Sequence, residues 1–126
     1  MRKRLAMRQK SRRLFEMVDK ILTAAQIEHA ETVFIEQPEG VFAVYGDRIT
    51  ADGSDERLHF LQHDVVVELY EPAQWVGREE RERLISALNQ AYKDGRIEAW
   101  ECEVRIWLQD MQLFMTTFNF SYYTRR

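Results

Sequence analysis

The chain has 126 residues, 45% of them hydrophobic and 31% charged, with a formal net charge of −3; this is the balance of one globular domain able to bury a core, and it excludes a disordered chain. No apolar run approaches the roughly 18 residues that a membrane helix needs, and no apolar stretch of signal-peptide length follows the basic N-terminus, which argues against secretion. The single cysteine, Cys102, excludes an internal disulfide and fits a reducing compartment.

The net charge hides a basic N-terminal arm. Residues 1–13 carry Arg2, Lys3, Arg4, Arg8, Lys10, Arg12 and Arg13 and no acid, which leaves 11 basic and 21 acidic side chains, a net −10, on the rest of the chain. Such an arm suits an anionic partner, either nucleic acid or the acidic body of a neighbouring copy. A solvated, frayed terminus is the plainer reading. The arm precedes a single α+β domain over 14–126. A helix is predicted from Ser11 to about Gln26, where Leu14, Met17, Val18, Ile21 and Ala25 recur at three- and four-residue spacing and Ser11 can cap the first turn.

Thr32 to Glu36 reads as a short β-branched strand, interrupted by Pro38 and Gly40. Val41 to Tyr45 follows as a second, extending weakly to Ile49 or Thr50, before a turn cluster at 51–55. The central strand is Phe60 to Tyr70. Leu61, Val65, Val67 and Leu69 fall on one face and Phe60, Val66 and Tyr70 on the other, which suggests an interior strand or one whose second face a partner covers. Pro72 and Gly77 bound a connector, and Arg78 to Lys93 is a second amphipathic helix. Leu84, Ile85, Leu88, Ala91 and Tyr92 are its expected buried face, Glu79/Arg83 an i,i+4 ion pair, and Asp94-Gly95 its stop. Glu98 to Leu108 alternates, with Trp100, Cys102, Val104, Ile106 and Leu108 expected on one face and Glu101, Glu103 and Arg105 on the other. A turn at Gln109-Asp110 leads into a last strand from Gln112 to about Tyr122. There Phe114, Phe118, Phe120 and Tyr122 oppose Leu113, Met115 and Thr117. The expected fold is α+β: two amphipathic helices packed on one face of a mainly antiparallel or mixed, four- to five-stranded sheet. The central strand, second helix and Trp100 strand form a β-α-β unit.

Few residues suggest chemistry. His59 and His63 have the spacing of a helical zinc site, but on a strand they lie roughly 13 Å apart, too far to share one ion; they read as polar residues of an edge strand. The loop with Asp52, Ser54, Asp55 and Glu56 lacks the ligand spacing of a calcium loop. Asp64 and Glu68 share a strand face without a third carboxylate or lysine at motif spacing. Cys102, between apolar neighbours, reads as a small core residue. The aromatics of the last strand could stack on bases, but their sheet neighbours are acidic and core packing is favoured. No catalytic residue, metal or cofactor is expected.

Taken together, PEGVFAVYG (38–46), TADG (50–53), VVVELYE (65–71), the charged helix ending LISALNQAY (84–92) and the closing pair around Trp107, Met111, Phe114 and Phe120 resemble the tail-completion family of siphophages and prophages. Its members are also called tail terminators or tail-to-head joining proteins. The match spans about two thirds of the chain and consists of structural patterns. It implies a hexameric ring that caps the tail tube, joins it to the head connector, lets DNA pass without binding it specifically and has no enzymatic activity. It also implies residence in the virion neck after assembly in the host cytoplasm. The residues expected at assembly contacts are Arg2, Lys3, Arg4, Arg8 and Lys10 of the arm and Leu113 and Met115 on the second sheet face. The competing classes are a small nucleic-acid-binding or regulatory module that uses the arm, and a small enzyme or scaffold subunit.

Overall fold

The computed structural model describes residues 17–51 and 60–125. The basic arm, the expected cap Ser11, Leu14, the turn residues 52–55 and His59 lie outside the described residues.

The first described element is a helix, α1, over residues 17–24. Its apolar stripe is the one its spacing predicts: Val18, Ile21 and Ala25 are buried, and Leu22 joins them. Gln26 adopts φ 58°, and the amides of Gln26 and Ile27 donate to the carbonyls of Thr23 (3.0 Å) and Leu22 (3.1 Å). This left-handed cap satisfies two carbonyls that would otherwise be orphaned at the helix end. The chain then enters β1, Glu28–Glu31, which lies parallel to β2, Phe42–Ala51.

The strand expected at Thr32 to Glu36 is not formed. Thr32 takes φ 65°, and the amide of Val33 closes a tight turn onto the Glu31 carbonyl at 2.6 Å. The β-branched side chains of Val33 and Ile35 therefore point outward, 68% and 102% exposed. Strand propensity loses here to a local turn, and the pairing falls to EHAE just upstream, whose polar sequence gives no strand signal.

The remaining elements are β3, Phe60–Pro72, a 3-10 turn at Ala73–Trp75, α2, Glu80–Lys93, β4, Ala99–Cys102, β5, Ile106–Leu108, and β6, Leu113–Arg125. Among the described residues six strands, not the four to five expected, make one mixed sheet in the order β1-β2-β3-β6-β4, with β5 also paired to β6, because the single strand expected from Glu98 to Leu108 is split into β4 and β5. Every pair except β1–β2 is antiparallel. β3 and β4 thus run parallel with β6 between them, so the β-α-β unit crosses over one intervening strand. α2 ends at Gly95, φ 73°, with the same two-bond cap as α1, the amides of Gly95 and Arg96 reaching Tyr92 and Ala91. Tyr92, expected on the buried face of α2, is 51% exposed, whereas Leu84, Leu88 and Ala91 are fully buried.

Both helices pack on one face of the sheet. The main core joins their apolar stripes to Ala43, Val65, Val67, Leu69, Phe118, Phe120 and Tyr122. Each of these large side chains contributes roughly 1.5–3 kcal/mol by leaving water.

The clean alternation from Trp100 to Leu108 is broken. Cys102 stands opposite Phe118, yet Ile106 stands opposite Met115. Residues 103–105 therefore face only Thr116 and Thr117. One extra residue in a strand is a β-bulge, and it inverts which side chains point where. Trp100 and Cys102 lie on the helix side, opposite Phe120 and Phe118. Ile106 and Leu108 lie on the other side, opposite Met115 and Leu113. Ile106 is 44% exposed and Val104 82%, so neither belongs to the main core. Trp107 takes the helix side instead, its ring 4.8 Å from that of Phe114.

Candidate functional site

Two buried polar clusters and one bare sheet face are the places where chemistry or recognition can occur among the described residues. The first cluster joins three strands. His63 is not at a sheet edge: it lies in β3 between β2 and β6 and is fully buried. Its Nδ1 lies 2.7 Å from Asp47 Oδ2 and its Nε2 2.8 Å from Thr124 Oγ1. With Nδ1–H donating to Asp47, Nε2 accepts the Thr124 hydroxyl proton; in the imidazolium form it donates to that oxygen instead. The ring also stacks on Tyr122, centroids 4.3 Å apart and 12° from coplanar.

A hydroxyl, an imidazole and a carboxylate in line have the connectivity of a hydrolytic triad. A nucleophile, however, must reach a substrate carbonyl beside oxyanion donors. Thr124 is half-buried, but the base of a triad must also pass its proton to a leaving group, and the His63 side chain, like that of Asp47, has no solvent exposure. The arrangement serves as a latch across β2, β3 and β6. Burial pushes the Asp47 carboxyl pKa up, and the hydrogen bond and charge of His63 oppose that rise. Asp47 Oδ1 is buried without a hydrogen-bond partner.

The second cluster surrounds the bulge. Glu71 sits on the helix side of β3, opposite Phe114, and is 1% exposed. Its Oε1 lies 3.1 Å from Arg105 Nη2. That distance makes an ion pair, while Arg105 Nε, Arg81 Nε and Thr116 Oγ1 are buried without a hydrogen-bond partner. Burial raises the Glu71 pKa, and Arg105 and Arg81 pull it back. Arg81 reaches the sulfur of Cys102 at 3.6 Å. Cys102 is half-buried and packs against the core edge. Arg105 is therefore turned inward by the bulge to neutralise a carboxylate, the opposite of the solvent-facing role its place in the alternation predicts.

The sheet face away from the helices divides into two ends. At one end, Phe42, Tyr70 and Leu113 form a satellite core with Phe34, Val44, Leu108 and Met115 against it. Phe42 stacks on Tyr70 at 5.1 Å, and Phe34 meets Phe42 edge-on at 5.6 Å. The loop after β1 thus folds Phe34 over this end, and Leu113 is only 5% exposed. Of the residues expected at assembly contacts, Leu113 is covered by its own chain, Met115 is half-buried beside it, and Arg2, Lys3, Arg4, Arg8 and Lys10 lie outside the described residues.

At the other end the face is bare. Val66, Phe60 and Tyr123 are 41%, 38% and 40% exposed. Asn119 and Ser121 of β6 floor a shallow hollow whose walls include Asp64 and Val66 of β3 and Ala99 and Glu101 of β4. A second hollow adjoins it at Ser121, between Phe60, Glu98 and Tyr123. Asp64 and Glu68 do share this face, as their spacing predicts, and the carboxylates missing from the local sequence arrive from β4 and the bulge: Glu101, and Glu103, which accepts from Asn119 Nδ2 at 3.0 Å. Among the described residues no group of three His, Cys, Asp or Glu side chains converges in the manner of a metal site. Phe118, Phe120 and Tyr122 are core residues, and only Tyr123 of the terminal aromatics is open to a partner.

No protein-family model matches the chain, and comparison with curated proteins finds no match.

Proposed function

We propose that this chain is a ring-forming tail-completion protein, which caps a phage tail tube and joins it to the head connector. The observation that carries the reading is the bare end of the sheet. One face packs against α1 and α2, while the other leaves Phe60, Val66 and Tyr123 in contact with solvent. A small protomer that leaves Phe60, Val66 and Tyr123 uncovered among polar and acidic groups suits completion by a neighbour. The order of elements that carries the family resemblance also supports it: a helix, strands, a charged helix after the VVVELYE strand, and a closing aromatic strand. In a ring, the acidic body repels passing DNA instead of gripping it.

The experiment is complementation of a phage lacking the corresponding gene. The expected result is that only the intact protein restores tails of uniform length joined to heads, and that the purified protein forms rings by native mass measurement and negative-stain imaging. Uniform, head-joined tails without the protein overturn the reading. The nucleic-acid module rests on the arm's charge alone, since the exposed aromatic Tyr123 stands among carboxylates. A monomer with salt-sensitive DNA affinity would favour that module.

A further inference from the structure

We infer that the bare end of the sheet is the receptor for the basic N-terminal arm of a second copy of this chain. The inference rests on the oligomeric part of the function proposed above and gives it a surface.

The receptor is a sheet face with an excess of unpaired negative charge. Asp64 and Glu68 of β3 and Glu101 and Glu103 beside β6 project from it, and Glu98 borders the adjoining hollow. Their hydrogen bonds are with neutral side chains: Gln62 donates to Asp64, Tyr70 to Glu68 and Asn119 to Glu103. Among the described residues none of these five carboxylates makes an ion pair. Strand alternation puts Arg48, opposite Asp64, and Arg125, opposite Phe60, on the same face; five carboxylates against two guanidinium groups leave an excess of three negative charges. Like charges held on one surface repel, and a cationic partner relieves that repulsion.

The arm matches this surface in charge, composition and length. Its seven cations exceed the charge to be neutralised. Leu5 and Met7 interrupt them with apolar groups suited to Val66 and Phe60, and an arginine can lie over the exposed ring of Tyr123. The face runs from Phe60 to Glu68, roughly 27 Å at about 3.4 Å per strand residue. Residues 2–13 extended reach roughly 40 Å, enough to cross it and leave a tether.

The occupant is a second copy because of where the arm begins. It precedes α1, which lies on the covered side of the sheet. To reach its own receptor the arm would have to turn around the end of the sheet. An arm-to-next-body contact avoids that turn wherever the neighbour presents its bare face to the arm, and it repeats head to tail, the type of contact that closes into a ring.

The test uses the full chain, a variant lacking residues 2–10, and a labelled synthetic peptide of residues 1–13. The expected result is that the full chain is oligomeric by light scattering, that the truncated body is monomeric or a smaller assembly with an unchanged thermal midpoint, and that this body binds the peptide. Affinity should fall about tenfold or more in Asp64→Asn/Glu101→Gln/Glu103→Gln. It should also fall between 0.1 M and 1 M salt, as the screening length drops from about 10 to about 3 Å. Should the triple variant unfold, a peptide with its arginines replaced by glutamate tests the same contact from the other side and should not bind. Absence of peptide binding, or binding indifferent to the substitutions, overturns the inference. So does a full chain that stays monomeric while refusing the peptide, which means the arm fills its own groove. Rings that persist without the arm overturn this contact but leave the tail-completion reading standing. Arm-dependent rings in a protein that phage tails do not require leave the contact standing and remove that reading.

Discussion

Removing His63 should show whether the Asp47–His63–Thr124 chain is a structural latch. His63→Ala deletes a ring stacked on Tyr122 at 4.3 Å, a contribution of about 0.5–1.5 kcal/mol beyond its buried area. It breaks hydrogen bonds of 2.7 and 2.8 Å, and it strands Asp47, whose side chain has no exposure. Leaving a buried carboxylate without its partner costs about 3–5 kcal/mol. These losses overlap because the groups act as one network, so the expected deficit at neutral pH is also about 3–5 kcal/mol, a large share of a total stability of about 5–15 kcal/mol. The pH dependence identifies the cause. The Asp47 carboxyl is raised by burial and held back by His63; without His63 it rises further. A carboxyl whose folded pKa exceeds its unfolded value contributes stability that is complete below the unfolded pKa and is lost as pH rises through the folded one. The deficit of His63→Ala should therefore be smallest in acid, near the ordinary aspartate range, and grow toward neutrality. In Asp47→Asn/His63→Ala that pH-dependent part should vanish. Urea unfolding followed by tryptophan fluorescence at both ends of this range measures it. A deficit under about 1 kcal/mol, or one equal at both pH values, refutes the latch.

Three further outcomes follow from the same geometry. Trp100→Ala should destabilise the fold by about 2–5 kcal/mol, whereas Ile106→Ala, 44% exposed beyond the bulge, should stay under about 1.5 kcal/mol; equal shifts in denaturant midpoint would show that the bulge does not separate the two. Gly95→Ala should lose about 1–2 kcal/mol because an alanine at φ 73° is strained in the left-handed region, and an unchanged thermal midpoint would mean that the α2 cap rearranges freely. Dialysis against a chelator should leave the thermal midpoint unmoved, and stoichiometric zinc or calcium in the purified protein would contradict this.

What the sequence reveals depends on whether a pattern is local. The stripe from Val18 to Ala25, the two faces of β3 and the two faces of β6 follow from spacing alone, because one buried side imposes a period of 3.6 or 2 on contiguous residues. The strand at Glu28–Glu31 was not legible: a short edge strand buries little, so its residues carry no apolar pattern. Thr32 to Glu36 misleads for the complementary reason. Its β-branched run has the propensity of a strand, but a left-handed Thr32 redirects it, and only Phe34 gains a buried place. The latch was invisible because its members, at positions 47, 63 and 124, meet only through the register of three strands.

The bulge at 103–105 is where local pattern and structure part most sharply. Glu103, Val104 and Arg105 continue the alternation of Trp100 to Leu108 without a break, because the extra residue of a bulge leaves no mark in the polar–apolar pattern. What decides it is the demand from the rest of the sheet. Glu71 is buried opposite Phe114, on the helix side of the sheet, and an ionised carboxylate there requires a cation. In an unbroken ladder Arg105 would point away from the helices. With the extra residue it meets Glu71 at 3.1 Å, while Glu103 stays on the opposite face and bonds Asn119. The same register shift therefore sends a positive charge inward and keeps a negative one at the bare surface. Arg105 thereby leaves the face on which Asp64, Glu68 and Glu101 stand, and that face keeps its excess of carboxylates.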